Sequence, residues 1–304
     1  MWININRTGQ LGNRLFSRAH VYAAALEFQA TVVDWGLLDV AKFFPEASKT
    51  TIPTYPLLAN GDPPALPEKP WLTPAALSLL HKIRPRMTGS LGPFWNQYYG
   101  KKDPDEMRLD SAAFRKFQER YDPVIINGFK LRCVDWVKKH KSEICKYFAP
   151  PASLREKWTL LHSSLRRSHS EVIGVHMRGK DFRTAAGGRY YLTPPEYASV
   201  LQKLDFDASE VLFVLFSDEG YESDRQFSDL KSAFRGFKFF INRGDILDDL
   251  CGLMACNRIV GPLSSTFSRW AAFAADRPWL GVSREFLTYD GNPEFKKAVI
   301  PWDY

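Results

Sequence analysis

The 304-residue chain is 45% apolar and 25% charged with a formal charge of +7, values of an ordinary globular protein that exclude a disordered or collagen-like chain. That length suits two domains of about 150 residues better than a single core, and 22 Phe, 12 Tyr and 9 Trp are enough to fill both. The positive balance favours anionic partners such as nucleotides, nucleic acid or an acidic membrane surface, without choosing among them.

Trp2 to Ile5 reads as a first strand, followed by the loop Asn6-Arg7-Thr8-Gly9-Gln10-Leu11-Gly12-Asn13-Arg14 and a long helix. Leu15, Ala19, Tyr22 and Leu26 fall on one apolar face of that helix. Strand, glycine loop and helix form an opening of the phosphate-binding type. Asn6-Arg7-Thr8 also matches a glycosylation sequon, which is read as chance at the mouth of a site loop. Thr31 to Asp34 is the next strand, Val124 to Asn127 another, and Cys133 to Phe148 a helix ending before Pro150-Pro151. Residues 50–74 hold many prolines, and the aromatic run from Gly92 to Gly100 has neither helical nor strand periodicity. An irregular insert over about 50–120 is therefore expected, either a surface loop packed by its own aromatics or a wall for an acceptor.

Residues from Pro150 to about Ser170, with a helix over 154–165, form the passage between domains. Regular alternation follows: strands at 172–175, 211–216, 237–241, 258–261 and 279–282, with helices at 194–204, 224–234, 246–256 and 266–275. Such alternation means a parallel sheet covered by helices. The expected organisation is an α/β chain with domains at 1–150 and 151–304.

Candidate chemistry gathers where strands end, the side of an open α/β sheet at which ligands bind. The run Val172 to Val175 stops at His176, Arg178, Lys180 and Asp181. A guanidinium there can grip two phosphate oxygens and stays charged, whereas His176 either touches the ligand or holds the loop. After Arg258 to Gly261 come Ser264, Ser265, Thr266, Phe267 and Ser268 before an Ala-rich helix; hydroxyls and N–H groups at a helix N-terminus suit an anion as well as ordinary capping. Ser217-Asp218-Glu219-Gly220, after the strand Val211 to Phe216, is either a third ligand loop or a turn or helix start. Asp248 and Asp249 open a helix and suit its dipole, and one of the two carboxylates could also accept from a guanine N1–H and amino group. Asp205-Phe206-Asp207 resembles a metal-binding carboxylate pair but lies at the wrong end of its strand, and an exposed turn is expected. GxGxxG, GxxxxGK[ST] and HExxH are absent.

Cys133, Cys145, Cys251 and Cys256 have no CxxC or zinc-ligand spacing, so reduced thiols and no metal are expected. The first residues lack the pattern of a signal peptide and no run of about 18 apolar residues occurs. A cytoplasmic protein follows, with peripheral contact at the inner membrane open to its basic surface. Nucleic acid is not expected, because the positive charge is scattered.

Three separated motifs resemble the metal-independent fucosyltransferase superfamily, which includes bacterial α-1,2-, α-1,6- and protein O-fucosyltransferases. Gly9-Gln10-Leu11-Gly12-Asn13-Arg14-Leu15-Phe16 is similar to the GGLGNQMF opening of the α-1,2 enzymes, His176-Met177-Arg178-Gly179-Lys180-Asp181-Phe182 to their HxRRGDY segment, and Ser264 to Trp270 to their SSFSWW segment. Asn127 to Lys130 and the helix ending at Pro150 resemble the same family's interdomain stretch. The resemblance implies a GT-B architecture, two Rossmann-like domains with parallel sheets facing a cleft, and inverting transfer of L-fucose from GDP-fucose to a glycan or glycolipid hydroxyl without a metal or other cofactor. It implies that Arg178 stabilises the leaving diphosphate, that Gly12 and Asn13 lie near the sugar, that Ser264 to Phe267 contact phosphate and base, and that Asp249 reads guanine. Gly179 stands where the α-1,2 and α-1,6 enzymes carry a second arginine, and Arg14 where glutamine is usual. Asp181 is the nearest carboxylate for a general base, or else a brace for its loop. Another nucleotide sugar on the same scaffold, or a non-catalytic nucleotide- or glycan-binding relative, are the alternatives.

Overall fold

The computed structural model describes residues 1–7, 9–56, 94–97, 108–128, 130–204, 207, 209–219, 224–288 and 294–297. The chain divides into two compact units, Met1–Pro151 and Ala152–Asp303.

In the first unit β1 (Trp2–Asn4), α1 (Leu11–Glu27), β2 (Val32–Asp34), β3 (Thr54–Tyr55), β4 (Phe94–Gln97), α2 (Ala112–Arg120), β5 (Val124–Gly128), α3 (Val134–Lys139) and α4 (Lys141–Tyr147) follow in order. The sheet runs β3-β2-β1-β5-β4, parallel apart from β3. Aromatic rings fill its core: Tyr22 stacks on Tyr55 at 4.3 Å, and Trp2 and Trp95 meet Phe114 at 5.3 and 5.1 Å. Burying a side chain of this size stabilises by roughly 1.5–3 kcal/mol.

Three expectations need correction here. α1 begins at Leu11, so Gly12, Asn13 and Arg14 are helical rather than part of the loop. Gly9 makes the turn at φ +86°, and a Cβ on it would fall 2.7 Å from Asn13; burial of Leu11 and Leu15 then outweighs the poor helix propensity of Gly12. The second correction concerns the insert. Phe94–Gln97 is a strand, parallel to β5 with Phe94 opposite Ile125, and Ala112–Arg120 is a helix capped by Ser111, whose Oγ accepts from Phe114 N. Four residues are too few for a period to declare itself, so pairing decides β4. The prolines of 57–74 and the remainder of the aromatic run lie outside the described residues. Third, the expected helix over 133–148 is broken at His140, where ψ turns to 15° and the ring binds Glu27. Asn6 of the sequon is buried at 1% exposure, out of reach of any glycan attachment.

The second unit contains α5 (Ala152–Leu165), β6 (Glu171–Met177), α6 (Pro194–Gln202), β7 (Val211–Ser217), α7 (Asp224–Ala233), β8 (Lys238–Ile241), α8 (Ile246–Ala255), β9 (Arg258–Pro262), α9 (Thr266–Ala274), β10 (Pro278–Val282) and β11 (Lys296–Lys297). Its sheet runs β11-β10-β9-β6-β7-β8, with only β11 antiparallel. β6 and β7 are buried along almost their whole length, as central parallel strands with helices on both faces must be. Ile173, Val175 and Met177 pack on one face with Tyr197, Phe213 and Leu215, which turns Val172, Gly174 and His176 to the other. The chain builds outward from β6 to β8, then returns to lay β9 against the other side of β6. The order reverses between β6 and β9, and at such a point the loops leaving the strands diverge into a crevice.

Three of the cysteines are buried, Cys145 is half-buried, and none of the four is in a disulfide. Among the described residues no helix is long and apolar enough to cross a membrane, and no group of three His, Cys, Asp or Glu could hold a metal ion.

Candidate functional site

The reversal between β6 and β9 brings together most of the residues expected to bind a ligand. β6 ends at Met177, and His176 just before it is 3% exposed, with its Nδ1 3.2 Å from Ser265 Oγ across the crevice. Burial, and then the charge of Arg178, lower the His176 pKa to about 3, so the ring stays neutral at physiological pH. Its carbonyl accepts from Tyr197 Oη at 3.1 Å and its ring packs on Phe267 at 5.3 Å. His176 thus ties β6 to α6 and α9, the loop-holding alternative among its two expected roles.

Arg178 follows directly, its side chain only 13% exposed. Asp181 Oδ1 accepts from its Nη2 at 2.8 Å and from Nε at 3.1 Å, and Phe182 lies against the guanidinium at 5.4 Å. Asp218 Oδ2 is 3.3 Å from Nε, close enough for an ion pair but not aligned as a hydrogen bond. Asp218 Oδ1 accepts from Gly179 N at 2.7 Å, so the loops after β6 and β7 are locked together around the arginine. Ser217 Oγ accepts from Glu219 N at 3.1 Å and shapes the turn that presents Asp218.

On the other side of the crevice, Ser265 caps α9, its Oγ accepting from Ser268 N. The first-turn N–H groups at Thr266 and Phe267 and the positive end of the helix dipole make this an anion-stabilising terminus. Ser264 Oγ is buried without a hydrogen-bond partner among the described residues. A buried hydroxyl left unbonded is costly, and a ligand oxygen here would satisfy it.

Asp248 and Asp249 divide the roles expected of the pair. Asp248 is buried and accepts from Lys157 Nζ at 2.6 Å and Trp158 Nε1 at 3.1 Å, fastening α5 to α8. Asp249 accepts from Asn242 Nδ2 at 2.7 Å through Oδ1. Burial, followed by the neighbouring charges of Asp248, Asp245 and Asp218, raises its pKa to about 7 despite the Asn242 bond. The folded protein therefore keeps a proton that the unfolded chain has lost, from the ordinary carboxylate value of 3.8 up to about 7, and stability falls as pH rises through that window. Asp249→Asn should raise Tm by about 2–4 °C at pH 8 and change it little at pH 4. Thermal melts at the two pH values test this, and an equal shift at both would show that burial is not the cause.

Gly12 and Asn13 belong to the first unit, in the first turn of α1, where Arg14 donates from Nε to Gly9 O at 2.9 Å and pairs with Asp39 at 2.7 Å. The first unit's strand order also reverses, between β1 and β5. There Asn6 Nδ2 donates to Gly128 O at 2.7 Å and Ser17 Oγ to the same oxygen at 3.3 Å, so that reversal point is closed by the protein's own polar groups. Asp207 forms an exposed turn with Ser209, while Asp205 and Phe206 lie outside the described residues, as does the Lys180 side chain. Asn242 and Tyr197 escaped the sequence reading, although Asn242 stands directly after β8, a position that the strand-end rule would have flagged.

No family model and no curated protein matches the chain in sequence. Solved structures do match in fold. A mutant of Arabidopsis thaliana FUT1 in complex with GDP is similar at TM-score 0.58 and 14% identity, over 97% of this chain and 73% of that one. NodZ α-1,6-fucosyltransferase soaked with GDP-fucose is similar at TM-score 0.50 and 17% identity, over 97% and 98% of the two chains. POFUT1 in complex with GDP-fucose follows at TM-score 0.50 and 15% identity, over 91% and 94%. The chain thus has the α/β architecture of GT-B fucosyltransferases, two units each built on a mainly parallel sheet.

Proposed function

We propose that the protein is a metal-independent, inverting fucosyltransferase that moves L-fucose from GDP-fucose to a hydroxyl of a glycan or glycolipid. The observation that carries this reading is the convergence of Arg178, the unbonded Ser264 hydroxyl and the α9 N-terminus on the strand-order reversal of the second unit. A diphosphate needs such a set: a fixed cation, a hydroxyl donor and N–H groups. The reversal point of the first unit is filled by Asn6, which supports assigning the donor to the second unit, 151–304, and leaving the acceptor to the first, 1–150. The fold's likeness to proteins solved with GDP and GDP-fucose supports guanine as the base. Asp249 Oδ2 is the acceptor for the guanine N1–H and amino group, its Oδ1 already being held by Asn242.

In this reading the bond from the anomeric carbon to the diphosphate breaks as the acceptor hydroxyl attacks from the opposite face and passes its proton to solvent water. Negative charge grows on GDP. Arg178, held by Asp181 and Asp218 before substrate arrives, meets that charge without reorganising, which is how preorganised donors accelerate a reaction. Asp181 is assigned a role through Arg178, whose Nε and Nη2 both donate to its Oδ1. The net charge of +7 suits peripheral contact with an anionic membrane bearing the acceptor, on its cytoplasmic face.

Calorimetric titration with GDP, UDP and CMP in EDTA tests the reading. Saturable binding selective for GDP is expected. Because the guanine contact needs an ionised Asp249, GDP affinity should also fall as pH drops below about 7. Preference for UDP or CMP would move the protein to another donor.

A further inference from the structure

The loop after β7 carries a carboxylate that the reading so far does not use. Glu219 follows Asp218, and its Oε1 accepts from Arg183 Nε at 2.8 Å and is ion-paired with Arg183 Nη2 at 2.6 Å. Arg183 is itself steadied by the Tyr191 ring at 5.1 Å. Both contacts go to one oxygen, and no hydrogen bond to Oε2 is found among the described residues. The side chain is 22% exposed, so the carboxylate is anchored through one oxygen and partly open to its surroundings.

Its position depends on Gly179, the residue directly after Arg178. An ideal Cβ on Gly179 would lie 2.1 Å from the Glu219 carboxyl carbon, so the carboxylate occupies the space a side chain at 179 would take. An acceptor-only oxygen repels a phosphate and attracts hydroxyl protons. Beside an arginine that holds the diphosphate of a nucleotide sugar, the hydroxyls at hand belong to the ribose on one side and the transferred sugar on the other, and titration with GDP, which keeps only the ribose, separates the two.

We propose that Glu219 is a specificity-determining residue of this site, its Oε2 accepting hydrogen bonds from the hydroxyls of the nucleotide-linked sugar while Arg183 and Gly179 hold it there. The inference rests on the donor-site reading above. A site built to bond a hydroxyl discriminates strongly against a ligand that lacks it, and Glu219 therefore acts on the sugar and not on GDP alone.

The test is calorimetry of the full chain with GDP and with GDP-fucose, comparing wild type with Glu219→Met, which keeps length and removes the acceptor. Expected are a GDP affinity within about twofold of wild type and a GDP-fucose affinity weakened by about tenfold, the loss of one good hydrogen bond to a charged group. Gly179→Ala, whose new Cβ must displace the carboxylate, should show the same selective loss and serves if Glu219→Met fails to fold. Equal weakening for both ligands, or none for either, overturns the assignment. Wild type that binds GDP no better than UDP and CMP overturns the donor-site reading beneath it, an outcome visible before any variant is made.

Discussion

Arg178→Ala is expected to lower turnover by about 10²–10³-fold, the range seen when one preorganised donor to a transition-state charge is removed, while Tm stays within a few degrees of wild type. The stability side of this follows from where the partners sit. Asp181 is half-exposed and is hydrated once the guanidinium is gone, and Asp218 keeps its bond from Gly179 N. The catalytic side follows from geometry. Arg178 presents a planar fork whose orientation is set by Asp181 on one edge and Phe182 against its face, and Arg178→Lys would keep the charge but lose that fork. Lysine should therefore recover only part of the activity. Ser265→Ala offers the contrast: it removes a cap and the contact with His176, costing stability of about 1 kcal/mol and a modest share of GDP affinity. Steady-state kinetics, GDP calorimetry and melting curves on the three variants separate the roles. If Arg178→Ala and Ser265→Ala lost activity and Tm in the same proportion, the site would be misassigned.

How much of this was legible in the sequence depended on how strongly local pattern and tertiary context agreed. In the second unit they agree along the parallel strands, though not for β11. Strands such as Glu171–Met177 and Val211–Ser217 are almost wholly apolar because both faces are covered, and polar residues follow at once, so Arg178, Asp218 and Ser264–Thr266 stood out as candidates from their position alone. The first unit was harder. Phe94–Gln97 becomes a strand only by pairing with Val124–Gly128, a contact some thirty residues away in the chain that no local pattern announces. What joins groups across loops was invisible for the same reason. The bond from Asp218 to Gly179 and the filling of Gly179's space by Glu219 link two loops separated by a whole helix and strand.

The buried charges of the first unit set the second large effect. Arg18 and Asp34 form an ion pair in which both side chains are 0% exposed. Tyr22 Oη and Asn4 Nδ2 add bonds to the same carboxylate at 3.0 and 2.9 Å, and Arg18 Nη2 also donates to Asn6 O. Desolvating two charges costs several kcal/mol each, so such a pair need not be more stable than a neutral replacement, but removing one partner strands the other. Arg18→Met should accordingly destabilise the protein by about 3–5 kcal/mol, as should Asp34→Asn alone. The double variant should lose much less than the sum, because an asparagine turned with its oxygen toward Tyr22 and Asn4 keeps those two bonds and leaves no charge behind. Denaturant titrations of the four proteins give the coupling directly. A strongly favourable departure from additivity would assign the cost to the stranded charge, whereas additive losses would mean that the two side chains act mainly through packing. The cluster sits where the chain leaves β1. Through Asn6 it fixes the backbone that leaves β1 for Gly9 and α1, and a buried charge pair, unlike an apolar contact, tolerates no sliding of the loop that it holds.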